Sequence, residues 1–261
     1  MPTSVSVADA IDRLARDPLR NIVALKHLLA YPKHVRVHQV SDARRSAMLV
    51  TLDASVSAYD RETYPYARVV AFIVSDHPSL TAALMPHIPG DCGIVFKLSQ
   101  ETDLSPIAAQ FPIERRTAFV SFTSAGRYKP DCHAAITQAP SDSAFDLFER
   151  QGHHRGWLEP LLIDGKAFAC ALVRSGEALS ACFAFENYGP VWEVGGVVTA
   201  ASHRRKGLAA RVVRTALAEL ARRGKAPRYQ VEETNDASIR LARSVGLAPF
   251  LTIVHYEHQC W

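Results

Sequence analysis

The chain has 261 residues, of which 48% are hydrophobic and 21% charged. This composition is typical of a soluble protein with one large or two modest domains, and it argues against long disordered stretches. The formal net charge of +4 is too small to indicate a nucleic-acid partner by itself, and the longest apolar runs, 69–74 and 167–173, are far shorter than the roughly 18 residues that a membrane-spanning helix needs.

The cysteines and the N-terminus indicate a cytoplasmic protein. The cysteines are Cys92, Cys132, Cys170, Cys182 and Cys260. Their number is odd and no two form a C-x-x-C pair, so neither a zinc cage nor a disulfide framework is expected. The first residues lack a basic start followed by an apolar core, so no signal peptide is predicted. We therefore expect no metal site and a reducing compartment.

The N-terminal half is predicted to be a mixed α/β unit. Ser6 caps a first helix, and Asp17-Pro18 opens a second helix that Tyr31-Pro32 ends. Short apolar strands then alternate with helical candidates. The strands are predicted at 47–52, 68–74, 93–98 and 117–122, and the helices at 79–85 and 104–110. A turn-rich stretch around Lys129-Pro130-Asp131 places the domain boundary, which gives domains 1–129 and 130–261.

The C-terminal half is predicted to be an antiparallel meander followed by helices and strands. A strand at 133–137 and a helix at 142–150 precede three consecutive strands at 166–174, 179–186 and 191–199. His153-His154 is interpreted as a surface loop. A helix at 207–223 turns Leu208, Val212, Ala216 and Leu220 inward and ends at Gly224. A strand at 228–233, a helix at 236–245 and a strand at 250–256 follow.

The connection into the helix at 207–223 carries the predicted chemistry. It reads Arg204-Arg205-Lys206-Gly207-Leu208-Ala209. A helix start leaves backbone N–H groups unpaired and carries about half a positive charge, and a pyrophosphate suits both. Gly207 and Ala209 allow phosphate oxygens to approach the backbone, and the basic side chains neutralise their charge. An ordinary strand–turn–helix connection fits the same residues, and the loop is neither a Walker A loop nor G-x-G-x-x-G.

These residues resemble the GCN5-related N-acetyltransferase (GNAT) family, whose acetyl-CoA loop reads R/Q-x-x-G-x-G/A after the fourth strand. Arg204-x-x-Gly207-x-Ala209 fits that loop, and Gly196-Val197-Val198-Thr199 fits the strand before it. Asn235-x-x-Ser238-x-x-Leu241, followed by Gly246-Leu247, is similar to the family's next helix and its end. The resemblance covers about residues 130–261.

The resemblance implies a GNAT fold, which is an α/β (α+β) arrangement with a mixed, mostly antiparallel sheet flanked by helices. The smaller N-terminal domain is similar to the degenerate first domain of two-domain members and lacks the loop. Acetyl-CoA is the implied co-substrate, with pantetheine amides on strand 191–199 and the pyrophosphate on the loop. The implied cofactor-binding residues are Val197, Val198, Thr199, Arg204, Arg205, Lys206, Gly207, Leu208, Ala209, Asn235 and Ser238.

Glu193 is the candidate general base. An alkyl ammonium must lose a proton before it attacks a thioester, and a carboxylate beside the acyl group can take it. Glu193 lies eleven positions before Arg204, where some members of the family carry a base glutamate. A strand glutamate paired with a neighbouring arginine is the alternative. Gly195-Gly196 predicts a bulge that exposes an oxyanion donor near Val197, and close packing is the other explanation for two glycines.

The family's usual acid is missing, since Ala242 occupies the position of its tyrosine. Tyr229, Tyr256 or water are the substitutes, or the thiolate leaves unprotonated. The leading expectation is an N-acetyltransferase or acyltransferase that moves an acetyl group to a primary amine. A non-catalytic acyl-CoA sensor is the second, and a nucleic-acid binder using the arginine-rich stretch 204–228 is the third. The acceptor stays open between a small amine and a protein amine, and no membrane partner is expected.

Overall fold

The computed structural model describes residues 2–260. The strands are β1 (Thr3–Ser4), β2 (Val35–Ser41), β3 (Ser46–Asp53), β4 (Ala67–Ser75), β5 (Gly93–Leu98), β6 (Glu114–Thr123), β7 (Ala134–Thr137), β8 (Ala167–Arg174), β9 (Glu177–Tyr188), β10 (Val191–Thr199), β11 (Ala226–Glu232) and β12 (Ala248–His258). The α-helices are α1 (Val7–Leu14), α2 (Ile22–Ala30), α3 (Ala58–Thr63), α4 (Pro78–Leu84), α5 (Leu104–Ala108), α6 (Asp142–Glu149), α7 (Arg155–Ile163), α8 (Leu208–Arg222) and α9 (Asp236–Ser244).

The chain divides into two units. Unit 1 runs to Phe119 and resumes at Leu251, and unit 2 is Val120–Phe250. This division differs from the predicted domains 1–129 and 130–261, because most of β12 returns to unit 1. There β12 pairs antiparallel with β5, from Val254 opposite Leu98 to His258 opposite Ile94. Strand pairing between distant parts of the chain leaves no signal in local composition.

Unit 1 is the α/β unit that the sequence predicts. Its strands follow the order β1-β2-β3-β4-β5-β12. All neighbours are antiparallel except β4 and β5, which are parallel and stay in register from Ala67 to Ile73 apart from an irregularity near Arg68. The sequence analysis missed β2, although Val35 and Val37 alternate with polar residues in the way that a half-buried strand does.

Unit 2 has the strand order β11-β10-β9-β8-β7, and the predicted meander of β8, β9 and β10 is confirmed. A hydrophobic core covers each face of this sheet. One core joins Trp192 and Val194 of β10 to α8 and α9, and the other joins Phe183 of β9 to α6 and α7. The sheet is therefore mixed, mostly antiparallel and flanked by helices, as the predicted fold class requires.

The helix α8 is confirmed and α7 was missed. Leu208, Val212, Ala216 and Leu220 of α8 are all buried, and Gly224 follows the helix in the left-handed conformation at φ +67°. The sequence hid α7 because Pro160 lies inside it, and an interior proline is a helix breaker. The interpretation of His153-His154 as a surface loop is only partly right, since the His153 ring lies 5.0 Å from the Phe183 ring.

A buried polar cluster lies inside unit 1. Lys97 Nζ and Asp60 Oδ1 are 2.6 Å apart, and both side chains are almost fully buried. The Tyr64 hydroxyl lies 2.7 Å from His255 Nδ1. Burial lowers the pKa of His255 to about 3, with the nearby Lys97 charge contributing. Burial, Lys26 and Lys97 lower the pKa of His27 to about 3 as well. Both imidazoles are therefore neutral at pH 7.

We expect unit 1 to lose stability in acid. Between pH 6.5 and about 3 the unfolded histidines take up protons that buried His27 and His255 do not, so the free energy of unfolding falls as the pH falls. The loss is on the order of 2 kcal/mol per histidine by pH 4.5. Urea titrations of wild type and His255→Gln at pH 7 and 4.5 measure it. The variant should lose part of the pH dependence, and the exposed-site control His154→Gln should keep all of it. Equal slopes in all three proteins would contradict this expectation.

Candidate active site

The parallel ladder between β10 and β11 is short. It contains only Val191 opposite Ala226, Trp192 opposite Pro227 and Glu193 opposite Arg228. Beyond Glu193, β10 continues beside β9 but no longer beside β11. Within residues 2–260, the edge of 194–199 that faces away from β9 therefore has no neighbouring strand from β11 and could pair with another extended chain, although the Thr199 carbonyl accepts from Arg204 Nε at 3.4 Å.

A bulge in β10 confirms the one that Gly195-Gly196 predicts. The register with β9 shifts between Gly195 and Val198, and Gly196 has φ +59°. A Cβ on Gly196 would overlap the Phe183 ring, so glycine is needed both for the conformation and for the space. The bulge also reverses the facing of the strand, since Val194 packs in the α8 core and Val198 in the α6–α7 core.

The predicted loop follows β10 directly. A 3₁₀ turn at Ala201–His203 leads to Arg205 at φ +61° and to Gly207 at φ +72°, which precedes the first residue of α8. Among residues 2–260, none of the backbone N–H groups of 205–209 donates to a backbone acceptor. Space around Gly207 is open, because a Cβ there would meet no atom within 4 Å. A row of unpaired donors at a helix start is suited to an anion.

The basic side chains near the loop differ in whether they pair with a carboxylate. Arg211 pairs with Asp131 at 2.6 Å, and Arg222 and Arg223 both pair with Glu219 at 2.7 Å. Within the described part of the chain, the loop residues Arg204, Arg205 and Lys206 have no carboxylate partner. Arg204 and Lys206 contact only the carbonyls of Thr199 and Ser202. Arg214 and Lys225 likewise donate hydrogen bonds only to carbonyls, those of Ser244 and Gly189, so cations without a carboxylate partner lie at the loop and also further along 204–228.

Glu193 lies where the ladder ends. Its Oε2 accepts from Arg228 Nη1 at 2.5 Å and from Asn187 Nδ2 at 2.7 Å. Arg228 is completely buried, while 18% of the Glu193 side chain is exposed. The arginine partner that the sequence alternative described is therefore present, although the sequence did not identify Arg228 or Asn187 as a partner of Glu193. Oε1 of Glu193 has no hydrogen-bond partner among residues 2–260, so one carboxylate oxygen remains for a substrate.

Aromatic rings line the same face of the sheet. Phe185 is directly opposite Glu193 in the β9–β10 ladder, and residues in direct register share a face. The Trp157 ring of α7 lies 5.2 Å from the Phe185 ring and 5.8 Å from the Phe183 ring. Because Trp157 is 45% exposed, this wall offers an apolar contact surface beside the carboxylate. The sequence analysis missed the wall along with α7.

Asn235 and Ser238, which the sequence predicts to bind the cofactor, form hydrogen bonds within the protein. Asn235 Oδ1 accepts from the Ser238 N–H at 3.0 Å and so caps α9. The Ser238 hydroxyl lies 2.6 Å from the Tyr229 hydroxyl. Burial raises the pKa of Tyr229, and the bond to Ser238 offsets part of that effect. Ala242 is fully buried in the α8–α9 core, and Tyr256 belongs to unit 1.

Comparisons with known proteins indicate a family and a fold. Residues 127–247 match the model of the acetyltransferase (GNAT) family. A GCN5-related N-acetyltransferase from Sphaerobacter thermophilus is 13% identical with a TM-score of 0.64, over 100% of this chain and 95% of that one. A GNAT-family acetyltransferase from Colwellia psychrerythraea is 13% identical with a TM-score of 0.57, over 99% and 100% of the two chains.

A tandem GNAT protein from the clavulanic acid biosynthesis pathway is 12% identical with a TM-score of 0.55, over 100% of this chain and 98% of that one. At these identities the likeness to solved structures shows the fold alone. A comparison with curated proteins gave no match.

No helix between residues 2 and 260 is long and apolar enough to cross a bilayer. In the same part of the chain, no cluster of three or more histidine, cysteine, aspartate or glutamate side chains could hold a metal ion.

We expect Gly196→Ala to be more destabilising than Gly224→Ala. Both glycines have positive φ, so alanine costs about 1 kcal/mol at either position. Only Gly196 adds the overlap with Phe183, which is worth roughly 1–3 kcal/mol more, since a Cβ on Gly224 meets nothing within 4 Å. Urea unfolding of the two variants gives the difference. Equal losses would mean that Phe183 moves aside freely and that the bulge is not held by packing.

Proposed function

Because residues 127–247 form a GNAT acetyltransferase domain, we propose that this protein is an N-acyltransferase that moves an acetyl group from acetyl-CoA to a primary amine. One observation carries the proposal. The unpaired edge of β10 is followed, after the 3₁₀ turn at Ala201–His203, by the unpaired amides of 205–209. A strand edge suits the amide-containing pantetheine chain, and a helix start with free cations suits a pyrophosphate.

The acetyl-CoA site consists of the residues that the sequence nominates, in two groups. Val197, Val198 and Thr199 present backbone groups to the pantetheine amides. The amides of 205–209 and the side chains of Arg204, Arg205 and Lys206 hold the phosphates. Asn235 and Ser238 act indirectly, because Asn235 caps α9 and Ser238 holds Tyr229. Arg205 at φ +61° is the kind of backbone strain that concentrates at ligand-binding loops.

Glu193 is the proposed general base. Arg228 and Asn187 bind its Oε2, so the carboxylate is held in one orientation and Oε1 remains to accept the proton of the acceptor ammonium, directly or through water. The amine nitrogen then forms a bond to the thioester carbonyl carbon and loses its second proton to water, and the carbon–sulfur bond breaks. Val197 lies inside the bulge, outside the register with β9, so its N–H is the proposed donor to the oxyanion.

The thiolate leaves without a dedicated acid in this proposal. Ala242 has no proton to give, and it is packed in the core. The Tyr229 phenol is buried, its pKa is raised and its hydroxyl contacts Ser238, so it keeps its proton. A thiol with a pKa near ~8.5 is an acceptable leaving group as the thiolate, and water protonates it afterwards.

The acceptor has an apolar portion next to its amine. Phe185 shares the face of the sheet with Glu193, the exposed Trp157 ring packs against Phe185, and such rings exclude water and pack against hydrocarbon. The reaction takes place in the cytoplasm, a location supported by the odd, unpatterned set of five cysteines.

We expect Gly207→Glu to abolish CoA binding in a folded protein. The wild-type dissociation constant should be micromolar to submillimolar, in the range of typical KM values. A carboxylate at Gly207 places negative charge on the phosphate site, and a loss of about 100-fold or more is reasonable for a repelled, displaced phosphate. Calorimetry with CoA measures both values. Gly224→Glu is the matched control, since Gly224 also has positive φ and open space but lies at the other end of α8. Unchanged affinity in folded Gly207→Glu would place the phosphates elsewhere.

We expect Glu193→Gln to keep its CoA affinity and to lower kcat by roughly 10²–10⁴-fold, the scale of general-base catalysis. Raising the pH should restore part of the rate, because solvent then supplies the free amine. The measurement is kcat against pH from thiol release, with acetyl-CoA and a panel of primary amines. Glu186→Gln, an exposed change on β9, is the control.

The rate is normalised to the folded fraction, because glutamine leaves the buried Arg228 charge uncompensated. If Glu193 has a purely structural role, Glu193→Gln should lower the stability and leave the shape of the kcat–pH profile unchanged. Wild-type kcat at neutral pH would end the assignment of Glu193 as the base. CoA binding without turnover on any amine would indicate a sensor instead of an enzyme.

A further inference from the structure

Unit 1 contains a cavity that the proposed transfer reaction does not use. Its volume is about 760 Å³, within the roughly 300–1,000 Å³ of small-molecule sites. The start of β2, the end of β3, the start of β4 and the turn after α4 form its walls. It lies entirely within unit 1, and none of the residues predicted to bind the cofactor lines it.

The cavity exists because α4 ends before the strands do. Leu80 and Leu84 of α4, with Met85 and Ile88 after it, cover the middle of β2, β3 and β4 and bury Leu49 and Ala71. Further along the same face, Arg36 lies opposite Thr51. Polar side chains occupy this pair of positions, and Arg61 of α3 also lines the cavity.

The cavity wall is strongly cationic. It contains four lysine or arginine residues and three histidines against one carboxylate: Lys33, Arg36, Arg61, Arg68, His34, His38, His87 and Asp53. Asp53 already accepts the Ser55 N–H at 2.9 Å. Among residues 2–260, Lys33, Arg36 and Arg68 have no carboxylate partner. A concave surface with one sign of charge concentrates counter-ions.

Two stacked histidines make this more than a solvated basic patch. The rings of His38 and His87 are 4.3 Å apart and nearly parallel. Nδ1 of His38 is buried and has no hydrogen-bond partner in the described chain. The desolvation of this nitrogen is therefore not compensated by a hydrogen bond within residues 2–260. Burial and the neighbours His87 and Arg36 lower the pKa of His38. The ring is therefore neutral at pH 7, and the desolvation cost is that of an uncharged imidazole.

We propose that this cavity binds a small molecule that carries two or more phosphate groups. Arginine guanidinium groups bind phosphate oxygens through paired N–H donors, and Arg36 and Arg68 have these donors uncommitted. The cations come from separate strands and turns around the cavity, which suits an extended polyanion better than a single monovalent ion.

The cavity is not a second thioester site. A pantetheine chain needs an unpaired strand edge, whereas β4 and β5 remain paired from Ala67 to Ile73. The cavity also lies at the starts of β2 and β4, while a loop equivalent to 204–209 would follow the end of β4. The bound molecule is therefore a ligand of unit 1 alone.

Titration of the full-length protein with inorganic pyrophosphate tests the proposal. The loop 204–209 is expected to bind the same probe, so the wild type should show two sites by calorimetry. The double variant Arg36→Ser/Arg68→Ser should bind pyrophosphate at the cavity at least 30-fold more weakly, so that only one site is detected. Its affinity for CoA should not change. Gly207→Glu should lose the other site and keep this one. Arg16→Ser removes an exposed charge of unit 1 outside the cavity and should change neither site.

The outcomes separate this site from the proposed catalytic function. Wild-type pyrophosphate binding in Arg36→Ser/Arg68→Ser, with both sites intact, would overturn the cavity proposal and leave the transferase untouched. Citrate binding as tightly as pyrophosphate would overturn the assignment to phosphate. Binding to RNA with no binding to pyrophosphate would overturn a small-molecule site. Circular dichroism checks that each variant is folded. Arg36 and Arg68 are both exposed, so replacing them with serine is not expected to disturb the core.

Discussion

The parallel pairing of β10 with β11 stops at Glu193 and Arg228, and the candidate active site depends on that stop. A longer ladder would use the backbone groups that the proposed pantetheine contact needs. The ion pair helps to set the end point. Arg228 is fully buried, and a buried guanidinium without a carboxylate is strongly unfavourable, so Glu193 has to stay beside it. One contact therefore joins the end of the ladder to the orientation of the proposed base.

The bulge at Gly195 and Gly196 is the second half of the same arrangement. It reverses the facing of β10, so Val194 and Val198 pack into cores on opposite sides of the sheet. Both cores thus hold the strand just before the loop, and α8 begins on the far side of that loop with Leu208 and Val212 buried. The unpaired amides of 205–209 are consequently carried between two rigid elements, which is the condition for a precise binding site.

Local signals predicted much of this site, and non-local contacts account for what was missed. The glycines at 195–196, the loop at 204–209 and the apolar stripe of α8 each follow from a few neighbouring residues. Arg228 reads as an ordinary strand residue, since nothing near it in sequence shows that it meets Glu193. The Trp157 wall was not predicted, because Pro160 indicates a helix break at a position where the structure has a helix. The return of β12 to unit 1 depends on pairing with β5, more than 150 residues earlier in the chain.

The two units share an arrangement of strands but differ in whether it leaves backbone groups unpaired. Each places a parallel pair beside an antiparallel one, β4–β5 beside β3–β4 and β10–β11 beside β9–β10. In unit 2 the parallel pair separates and exposes backbone. In unit 1 it stays closed, and the cluster around Asp60 and Lys97 lies buried inside the unit. A closed parallel pair has no edge to offer a thioester ligand. Uncommitted basic groups of unit 1 lie at the starts of its strands, at Arg36 and Arg68, so the ligand proposed for this unit is recognised by side-chain charge and not by backbone pairing.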